Sequence, residues 1–272
     1  MAIRDVEANV EVVGAGRAVV FLHGAPADHR QMMLTFEPAF EAHPGWQRVY
    51  PDLPGMGASP APSWITNVDD IVQWCHELID AVVGSIGRFT LAGASFGGYL
   101  ALRLLEPMAD RIDGLFLHVP AVRLEPDARR RPARRVIRPA DDALVAALAP
   151  DDRPWLDVSV VQTAETLDFF RRGPKLGRAA ADMAFLDRLE GPADASGGPG
   201  GTIPARPFDG PSLILAGRQD HLVGYSDAID LLDVLPRATL AILDRAGHGL
   251  AAEQPRLLHA LVGEWLGRVE EP

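Results

Sequence analysis

The strongest constraint on the fold is the alternation, along most of the chain, of short apolar runs with stretches of helical periodicity. Residues 68–82 show the helical pattern most clearly, because apolar side chains such as Ile71, Cys75 and Leu78 recur at spacings of three and four. Such alternation is typical of an α/β fold, in which a mostly parallel central sheet carries helices on both faces. The predicted strands are residues 18–22, 48–50, 88–92, 115–119, 212–216 and 239–243, and the other predicted core helices are residues 99–105, 226–235 and 255–269.

The middle third of the chain lacks this alternation. Residues 141–149, 154–172 and 178–190 have helical spacing, and no strand pattern lies between them. Residues 191–211 contain six Gly and five Pro, a composition typical of a loop that returns the chain to the sheet. We therefore predict an α/β core formed by residues 1–120 and 209–272, with residues 121–208 inserted as a helical cap or lid.

The composition of the 272-residue chain excludes several classes of protein. Its 26 Lys and Arg against 37 Asp and Glu give a net charge of −11, which disfavours binding to nucleic acid phosphates. The single cysteine, Cys75, excludes an internal disulfide framework and a multi-cysteine zinc site. The N-terminus lacks the pattern of a signal peptide, and no apolar run reaches the length of about 18 residues that spans a membrane. We expect a cytoplasmic globular protein that binds neither nucleic acid nor membranes.

A tight turn between a predicted strand and a predicted helix carries a candidate nucleophile. Residues 93–97 read Gly-Ala-Ser-Phe-Gly and match the pattern G-x-S-x-G, whose small residues let the backbone fold back sharply. This turn lifts the Ser95 hydroxyl above the sheet edge and places the Phe96 N–H at a helix N-terminus, where it can stabilise an oxyanion. The alternative is a structural serine in a tight turn.

His248 is the candidate base for Ser95, because a serine hydroxyl is a poor nucleophile until a base takes its proton. It lies in a loop just beyond the last predicted strand, and open α/β sheets bind ligands at the carboxyl ends of their strands. His221 is the rival base, whereas His118 falls within a predicted strand and is expected to be a packed, hydrogen-bonded residue. The alternative for His248 is a histidine exposed on a loop.

Asp220 is the candidate acid that would orient His248. It follows the strand predicted at residues 212–216 by four residues, and a carboxylate on the second ring nitrogen would fix the tautomer and stabilise the imidazolium. Asp227 and Asp244 are the alternatives, although Asp227 is better explained as a charge at the start of a helix, and Asp244 lies close to a strand end. Asp220 itself could be an exposed loop acid or a helix cap.

These residues make the chain resemble a serine-dependent, cap-bearing α/β hydrolase. The order Ser95, Asp220, His248 along the chain is the order expected for this type of fold. The segment V-F-L-H-G-A-P at residues 20–26 and the segment D-L-P-G-M-G-A-S at residues 52–59 are similar to two further motifs of the family.

The resemblance covers residues 10–120 and 209–270, and it implies a second oxyanion amide. In such proteins an HG-x-P loop after an early strand supplies it, which here would be the amide of Ala25, beside that of Phe96. Because Ser95 stands where some relatives have Asp, haloalkane dehalogenase or epoxide hydrolase chemistry is disfavoured. The chain has no HGGG run, so the large lipase-like branch fits less well.

The function implied by the resemblance is hydrolysis through an acyl-enzyme, with a small ester-like or activated carbonyl compound as substrate, as in a carboxylesterase. The alternatives on the same three residues are a C–C bond hydrolase resembling the meta-cleavage-product hydrolases, a thioesterase, an acyltransferase, a cyclase and a cofactor-free perhydrolase. A non-catalytic binding protein of the same fold is a further alternative.

The predicted cap carries candidates for substrate contacts, although aromatic residues at helical spacing are usually core residues. The candidate pocket residues are Trp155, Phe169, Phe170, Met183 and Phe185. Six cations, Arg129, Arg130, Arg131, Arg134, Arg135 and Arg138, fall within ten residues. They form either a solvated loop, which we favour, or a grip for a substrate carboxylate or phosphate or for an acidic carrier protein.

No sequence motif indicates a cofactor or a metal ion. The pairs Asp141/Asp142 and Asp151/Asp152 are typical of turns and helix starts, and Cys75 lies on the apolar stripe of its helix as a small buried residue. We expect a small-molecule substrate, no cofactor and no metal. A homodimer is expected only because homodimers are common.

Overall fold

A seven-stranded sheet forms the centre of the computed structural model, which describes residues 1–4, 6–189 and 203–271. The strands are β1 (Ala2–Ile3), β2 (Val6–Glu7), β3 (Val10–Gly14), β4 (Arg17–Leu22), β5 (Trp46–Pro51), β6 (Phe89–Ala94), β7 (Ile112–His118), β8 (Ser212–Gly217) and β9 (Ala238–Leu243). The order across the sheet is β3-β5-β4-β6-β7-β8-β9, and β1 pairs separately with β2. Within the described residues, β3 is the one strand of this sheet that runs antiparallel to its neighbour. The predicted mostly parallel α/β sheet is confirmed.

Helices cover both faces of the sheet. They are α1 (His29–Phe40), α2 (Val68–Val83), α3 (Phe96–Met108), α4 (Asp142–Ala146), α5 (Pro154–Val158), α6 (Ala164–Arg172), α7 (Pro174–Ala180), α8 (Met183–Arg188), α9 (Ser226–Asp230), α10 (Leu250–Glu253) and α11 (Pro255–Glu270). Successive strand residues point to opposite faces, so that Val20 packs with α2 and α3 while Phe21 packs with α1 and α11. Each fully buried apolar side chain of this size stabilises the fold by roughly 1.5–3 kcal/mol.

The structure confirms the helix predicted at residues 68–82 and accounts for its ends. The side chain of Asn67 accepts a hydrogen bond from the Asp70 N–H, and the Asp70 side chain accepts in return from the Asn67 N–H. Gly84, at φ +86°, ends the helix in a backbone conformation that residues with a side chain rarely adopt. These local signals are the ones that sequence patterns carry best.

Two helices predicted in the middle third are interrupted, and one long helix was not predicted. Residues 178–190 are divided between the end of α7 and α8, because residues 181 and 182 lie between the two helices. Residues 154–172 do not form one helix, because residues 159–163 leave the helical path between α5 and α6, and Val161 pairs there with Arg138 in an isolated β-bridge. The 12-residue helix α1 was not predicted, and Pro38 lies inside it. The end of the third predicted stretch, Glu190, and most of the Gly- and Pro-rich segment lie outside the described residues.

Residues 119–211 connect β7 to β8, and we call them the β7–β8 connection. The strands β7 and β8 are neighbours in the sheet, so this long segment leaves the sheet and returns beside its starting point. Its described parts, residues 119–189 and 203–211, contribute no strand to the sheet and contain α4 to α8. The division into a core and a cap stays a prediction. Among the described helices, none is long and apolar enough to cross a membrane.

The β7–β8 connection lies against the loops at the carboxyl ends of the strands. The Asp182 N–H donates to the Gly55 carbonyl, beyond β5, and Arg129 donates to the Leu222 carbonyl, beyond β8. Gly177 of α7 packs against the backbone of Ala27, beyond β4. The connection therefore contacts loops at the sheet edge at which the candidate catalytic residues were predicted.

Candidate active site

The turn that carries Ser95 has the sharp geometry that its sequence predicts. Ser95 lies between β6 and α3 with φ +51° and ψ −116°, a strained conformation for a residue with a Cβ atom. A Cβ at Gly93 would overlap the Gly97 carbonyl, and one at Gly97 would overlap the Leu22 carbonyl of the neighbouring strand. Glycine at both positions is therefore a requirement of backbone packing.

Three predicted residues meet at this turn. The His248 Nε2 atom lies 3.0 Å from the Ser95 Oγ, and its Nδ1 atom lies 2.8 Å from an Asp220 carboxylate oxygen. The Asp220 side chain is fully buried, whereas the His248 side chain is 19% exposed. With the proton held on Nδ1 by the carboxylate, Nε2 is left to accept the proton of the Ser95 hydroxyl.

Asp220 is held in its charged form by several donors. Its second oxygen accepts hydrogen bonds from the N–H groups of Leu222 and Val223, at 2.9 and 3.0 Å. Burial alone would raise the pKa of Asp220, but the His248 ring and these N–H groups outweigh it, so its pKa lies below the usual value. An ionised acid at this position can stabilise a positive charge on His248.

The two predicted oxyanion amides belong to residues adjacent to the nucleophile or to a residue that packs on it. Phe96 is the first residue of α3, and Ala25 follows Gly24, where a Cβ atom would lie 3.0 Å from the Ser95 Cβ. Neither N–H has an acceptor among the residues that the structure describes. The Phe96 N–H also lies at the positive end of the α3 dipole, which favours negative charge nearby.

The loop that contains Ala25 is fixed by His23, which the sequence alone did not single out. The buried His23 ring accepts a hydrogen bond from the Leu53 N–H at its Nε2 atom, 2.9 Å away, and its Nδ1 atom lies 2.7 Å from the Gly24 carbonyl. Burial lowers the pKa of His23, so the ring is neutral and can accept at Nε2. His23 thus joins the loop after β4 to the loop after β5.

Gln219 connects the Asp220 loop to the His248 loop, and it too was not predicted. Its side chain donates to Asp244 and accepts from the Ala246 N–H, at 2.8 and 3.1 Å, and its own N–H donates to the Ala246 carbonyl. Two residues before Gln219, a Cβ at Gly217 would overlap the Gly247 carbonyl. The two loops are therefore packed backbone to backbone, which fixes the distance between acid and base.

Residues 19–261 match a model of the alpha/beta hydrolase family. The chain belongs to the alpha/beta hydrolase family. The match runs from within β4 to the first half of α11, and it therefore includes all the loops that form the candidate site.

Relatives within the family are similar over nearly the whole chain. The AB hydrolase superfamily protein YisY of Bacillus subtilis (strain 168) is 27% identical over 274 residues, which are 94% of this chain and 94% of the relative. A 2-hydroxy-6-oxo-2,4-heptadienoate hydrolase of Pseudomonas putida is 26% identical over 287 residues, covering 96% and 93% of the two chains. A crystal structure of an alpha/beta superfamily hydrolase from Oenococcus oeni PSU-1 superposes with a TM-score of 0.86 at 25% identity and covers 96% of both chains.

The residues considered as alternatives to Asp220 and His248 make no hydrogen bond to Ser95 or His248. Asp244 is exposed and accepts from Gln219, and the buried Asp227 accepts from Arg123 and Arg130 in the first turn of α9. His221 is partly buried and makes no hydrogen bond to Ser95. Of the histidines considered, His248 is thus the one that the structure brings to the candidate nucleophile.

His118 is a packed residue, as predicted, but the hydrogen bond that was also expected is missing at its buried Nε2 atom, which has no partner among the described residues. Its ring lies at the end of β7 against Phe36 and Phe116, and burial together with the nearby His248 lowers its pKa to about 3. The ring is therefore neutral at physiological pH. Its carbonyl accepts a hydrogen bond from the Ser95 N–H at 3.0 Å and so anchors the turn.

Most of the aromatic residues predicted to line a pocket are packing residues. Trp155 and Phe170 form a small core with Leu148 and Leu167 inside the β7–β8 connection. The five candidates divide as follows: Trp155, Phe170 and Phe185 are buried, Phe169 packs partly against the core that contains α1 and α11, and Met183 is 38% exposed. Phe185 packs on Gly55 and lines a cavity beside residues 61–66.

Part of the arginine cluster has a structural role that neither sequence interpretation foresaw. The Arg129 guanidinium donates to the carbonyls of Arg123, Leu124 and Leu222. Arg130 pairs with Asp227, at 2.5 Å, and with Asp230. These two side chains attach the start of the β7–β8 connection to the segment around α9. The interpretation of the cluster as a solvated loop is therefore wrong for the half-buried Arg129, whereas Arg130 is exposed as well as paired.

The residues best placed to hold a metal ion already have hydrogen-bond or ion-pair partners. The ligand atoms of Asp28, His29 and Asp52 lie within 4.8 Å of each other, the one such group among the described residues. Asp52 accepts from the His29 ring and main-chain N–H, both at 2.8 Å, and Asp28 pairs with Arg30. This pattern is typical of a loop anchor.

Proposed function

We propose that the protein is a serine hydrolase that acts through an acyl-enzyme on a small ester-like or activated carbonyl substrate. The observation that carries the proposal is the chain of two short contacts from the Ser95 Oγ through His248 to the buried Asp220 carboxylate. A nucleophile, a base and an orienting acid in this arrangement are what acyl transfer from a neutral carbonyl requires.

In the proposed mechanism, Ser95 attacks the carbonyl carbon while His248 takes the hydroxyl proton at Nε2. Asp220 stabilises the imidazolium that forms, and the N–H groups of Ala25 and Phe96 donate to the oxyanion. His248 then gives its proton to the leaving group, and the acyl-enzyme remains on Ser95. A water molecule that loses its proton to His248 attacks the acyl-enzyme, and the acid product leaves.

A second candidate is hydrolysis of a C–C bond on the same residues. It is favoured by the relative named as a 2-hydroxy-6-oxo-2,4-heptadienoate hydrolase, which is 26% identical over 96% of this chain. In this reaction the proton from His248 goes to a carbon atom of the leaving group, whereas in ester hydrolysis it goes to an oxygen atom. The β7–β8 connection, proposed as a cap over the site, would select between these leaving groups.

The proposal is tested by labelling with a fluorophosphonate and measuring the intact mass. We expect one adduct on the wild-type protein and none on Ser95→Ala. Ser85→Ala is the matched control, because Ser85 is exposed in the turn after α2 and makes no hydrogen bond to His248, and it should label like the wild type. Absence of an adduct on the wild type, or an adduct that persists on Ser95→Ala, would overturn the proposal.

The leaving group is identified by comparing two kinds of substrate. A series of p-nitrophenyl esters of increasing acyl length measures esterase activity, and a vinylogous 1,5-diketone that releases an acid on C–C cleavage measures the alternative. Turnover that falls with acyl length would support a small ester substrate. A labelled protein that cleaves only the diketone would support the second candidate.

The other sequence-based expectations stay predictions: a cytoplasmic location, a small-molecule substrate, no cofactor, and a homodimer. An acidic carrier protein as partner loses the support of Arg129 and Arg130, because both side chains bind within the chain.

A further inference from the structure

Glu253, at the end of α10, places its carboxylate between two parts of the chain that are distant in sequence. One oxygen accepts hydrogen bonds from the N–H groups of Val160 and Val161, at 2.6 and 3.1 Å. The other accepts from the Gly247 N–H, at 2.6 Å. A carboxylate removed from water costs free energy unless donors compensate, and three main-chain donors offset part of that cost here. Burial and, to a smaller extent, the nearby Asp220 carboxylate still raise the pKa of Glu253 above its usual value.

The two parts are in direct contact where Glu253 joins them. A Cβ at Gly247 would lie 2.9 Å from the Val160 Cγ1 and 3.5 Å from the Val158 carbonyl, so the β7–β8 connection packs on the residue that precedes His248. Gly247 is buried. The contact leaves no room for a side chain at Gly247, and Glu253 satisfies its N–H.

Both parts are also fixed on their other sides. The N–H groups of Ile137 and Arg138 donate to the Val160 carbonyl, at 2.8 and 3.1 Å, and Gln219 holds the His248 loop through Ala246. Glu253 is thus the polar link between a segment anchored in the β7–β8 connection and a loop anchored to the sheet.

We propose that Glu253 is a positioning residue that clamps residues 158–161 of the β7–β8 connection onto the His248 loop, and so holds His248 within reach of Ser95. This inference rests on the proposed function of Ser95 and His248. It assigns Glu253 no contact with substrate.

The substitution that tests the clamp with least change of shape is Glu253→Gln. A glutamine has one acceptor oxygen, so its NH₂ group must face either the Gly247 N–H or the N–H groups of Val160 and Val161. One side of the clamp is therefore lost. A shift of the base by about 1 Å can reduce the rate on the order of a hundredfold, and we expect a tenfold to hundredfold loss in the rate of phosphonylation of Ser95.

Two measurements on the full chain test the proposal. Amide hydrogen exchange, read by mass spectrometry over residues 158–162 and 245–249, reports on the clamp whether or not the protein is active. The second-order rate constant for labelling by the fluorophosphonate reports on the position of His248. Glu264→Gln is the matched control, because Glu264 is an exposed helix residue paired with Arg268 on α11.

The proposal expects faster exchange in at least one of the two segments, slower labelling in Glu253→Gln, and neither change in Glu264→Gln. Unchanged exchange in both segments, an unchanged labelling rate, or faster exchange throughout the chain, β4 and β6 included, would overturn it. A wild-type protein that does not label would instead refute the proposed function, and the exchange data would still decide whether Glu253 forms the clamp.

Discussion

Asp220 uses both of its carboxylate oxygens, and this determines what a substitution there would do. One oxygen lies 2.8 Å from the His248 Nδ1, and the other accepts from the N–H groups of Leu222 and Val223. An asparagine can keep the second set of hydrogen bonds with its oxygen. Its NH₂ group would then face Nδ1 and hold the imidazole in the wrong tautomer.

Asp220→Asn should therefore lower kcat/KM by roughly 10⁴-fold while the protein stays folded, because Nε2 would carry a proton and could not accept one from Ser95. The measurement is kcat/KM on the best substrate found, with circular dichroism to verify the fold. Asp244→Asn is the control, since Asp244 is exposed and contacts Gln219 rather than His248. Similar losses in the two variants would show that the acid is misassigned.

The residues that the sequence could not indicate are those whose partners lie far away along the chain. Ser95, Asp220 and His248 follow strands that a local pattern reveals. Glu253 contacts Val160, 93 residues away. His23, after β4, contacts Leu53, after β5 and 30 residues away. No periodicity encodes such a pairing, so these roles became visible only in the fold.

The strand-to-helix turn from β6 to α3 depends on glycine for space rather than for flexibility. A Cβ at Gly97 would overlap the Leu22 carbonyl and lie 2.6 Å from the His23 carbonyl, both of them backbone atoms that cannot rotate away. A side chain there must move the turn or β4.

We expect Gly97→Ala to lower the free energy of unfolding by roughly 3 kcal/mol or more, because the backbone must shift to relieve the overlap. Gly267→Ala is the matched control within α11, where nothing lies within 4 Å of the added Cβ. It should raise stability by roughly 0.5–1 kcal/mol, since alanine favours helix over glycine. Urea unfolding of both variants is the measurement, and equal effects would contradict the packing argument.

The loop after β5 is anchored by Asp52, and the anchor should make stability depend on pH. Burial favours the neutral acid, but hydrogen bonds from His29, Ala58 and Asn9 prevail and lower the pKa of Asp52 to about 2. A lowered pKa stabilises the fold at pH above the unfolded value near 4, and the stabilisation disappears as the pH falls to about 2. The hydrogen bond to Asp52 also raises the pKa of His29. The stabilisation of the fold by protonated His29 is therefore fully present below about pH 6.5 and is lost as the pH rises through the raised pKa.

Asp52→Asn should accordingly cost about 2 kcal/mol of unfolding free energy near pH 6, and the difference from the wild type should shrink as the pH falls from about 4 to about 2. Urea unfolding of both proteins across this range is the measurement. Asp233→Asn, at an exposed acid, should show no such pH dependence. A difference that stays constant down to pH 2 would mean that Asp52 is not held in its charged form.

The whole molecule combines a sheet that the sequence predicts well with a long connection that it predicts only in outline. The helical content of the β7–β8 connection follows from spacing, but the break between α5 and α6 does not. Residues 159–163 leave the helix because Val161 pairs with Arg138 and Thr163 caps α6. These contacts depend on where the connection lies on the sheet edge, which local propensity cannot specify.

The candidate site is a property of the whole fold, because Ser95, Asp220 and His248 reach one point from loops after three different strands. If they act as one unit, removal of any one of them disables the others. The most direct measurement is the second-order rate constant for phosphonylation of Ser95 in His248→Ala, in Asp220→Ala and in the double variant. We predict that the double variant loses no more than His248→Ala alone, because Asp220 acts only through His248. Losses that multiply in the double variant, or single variants that react like the wild type, would contradict the assignment.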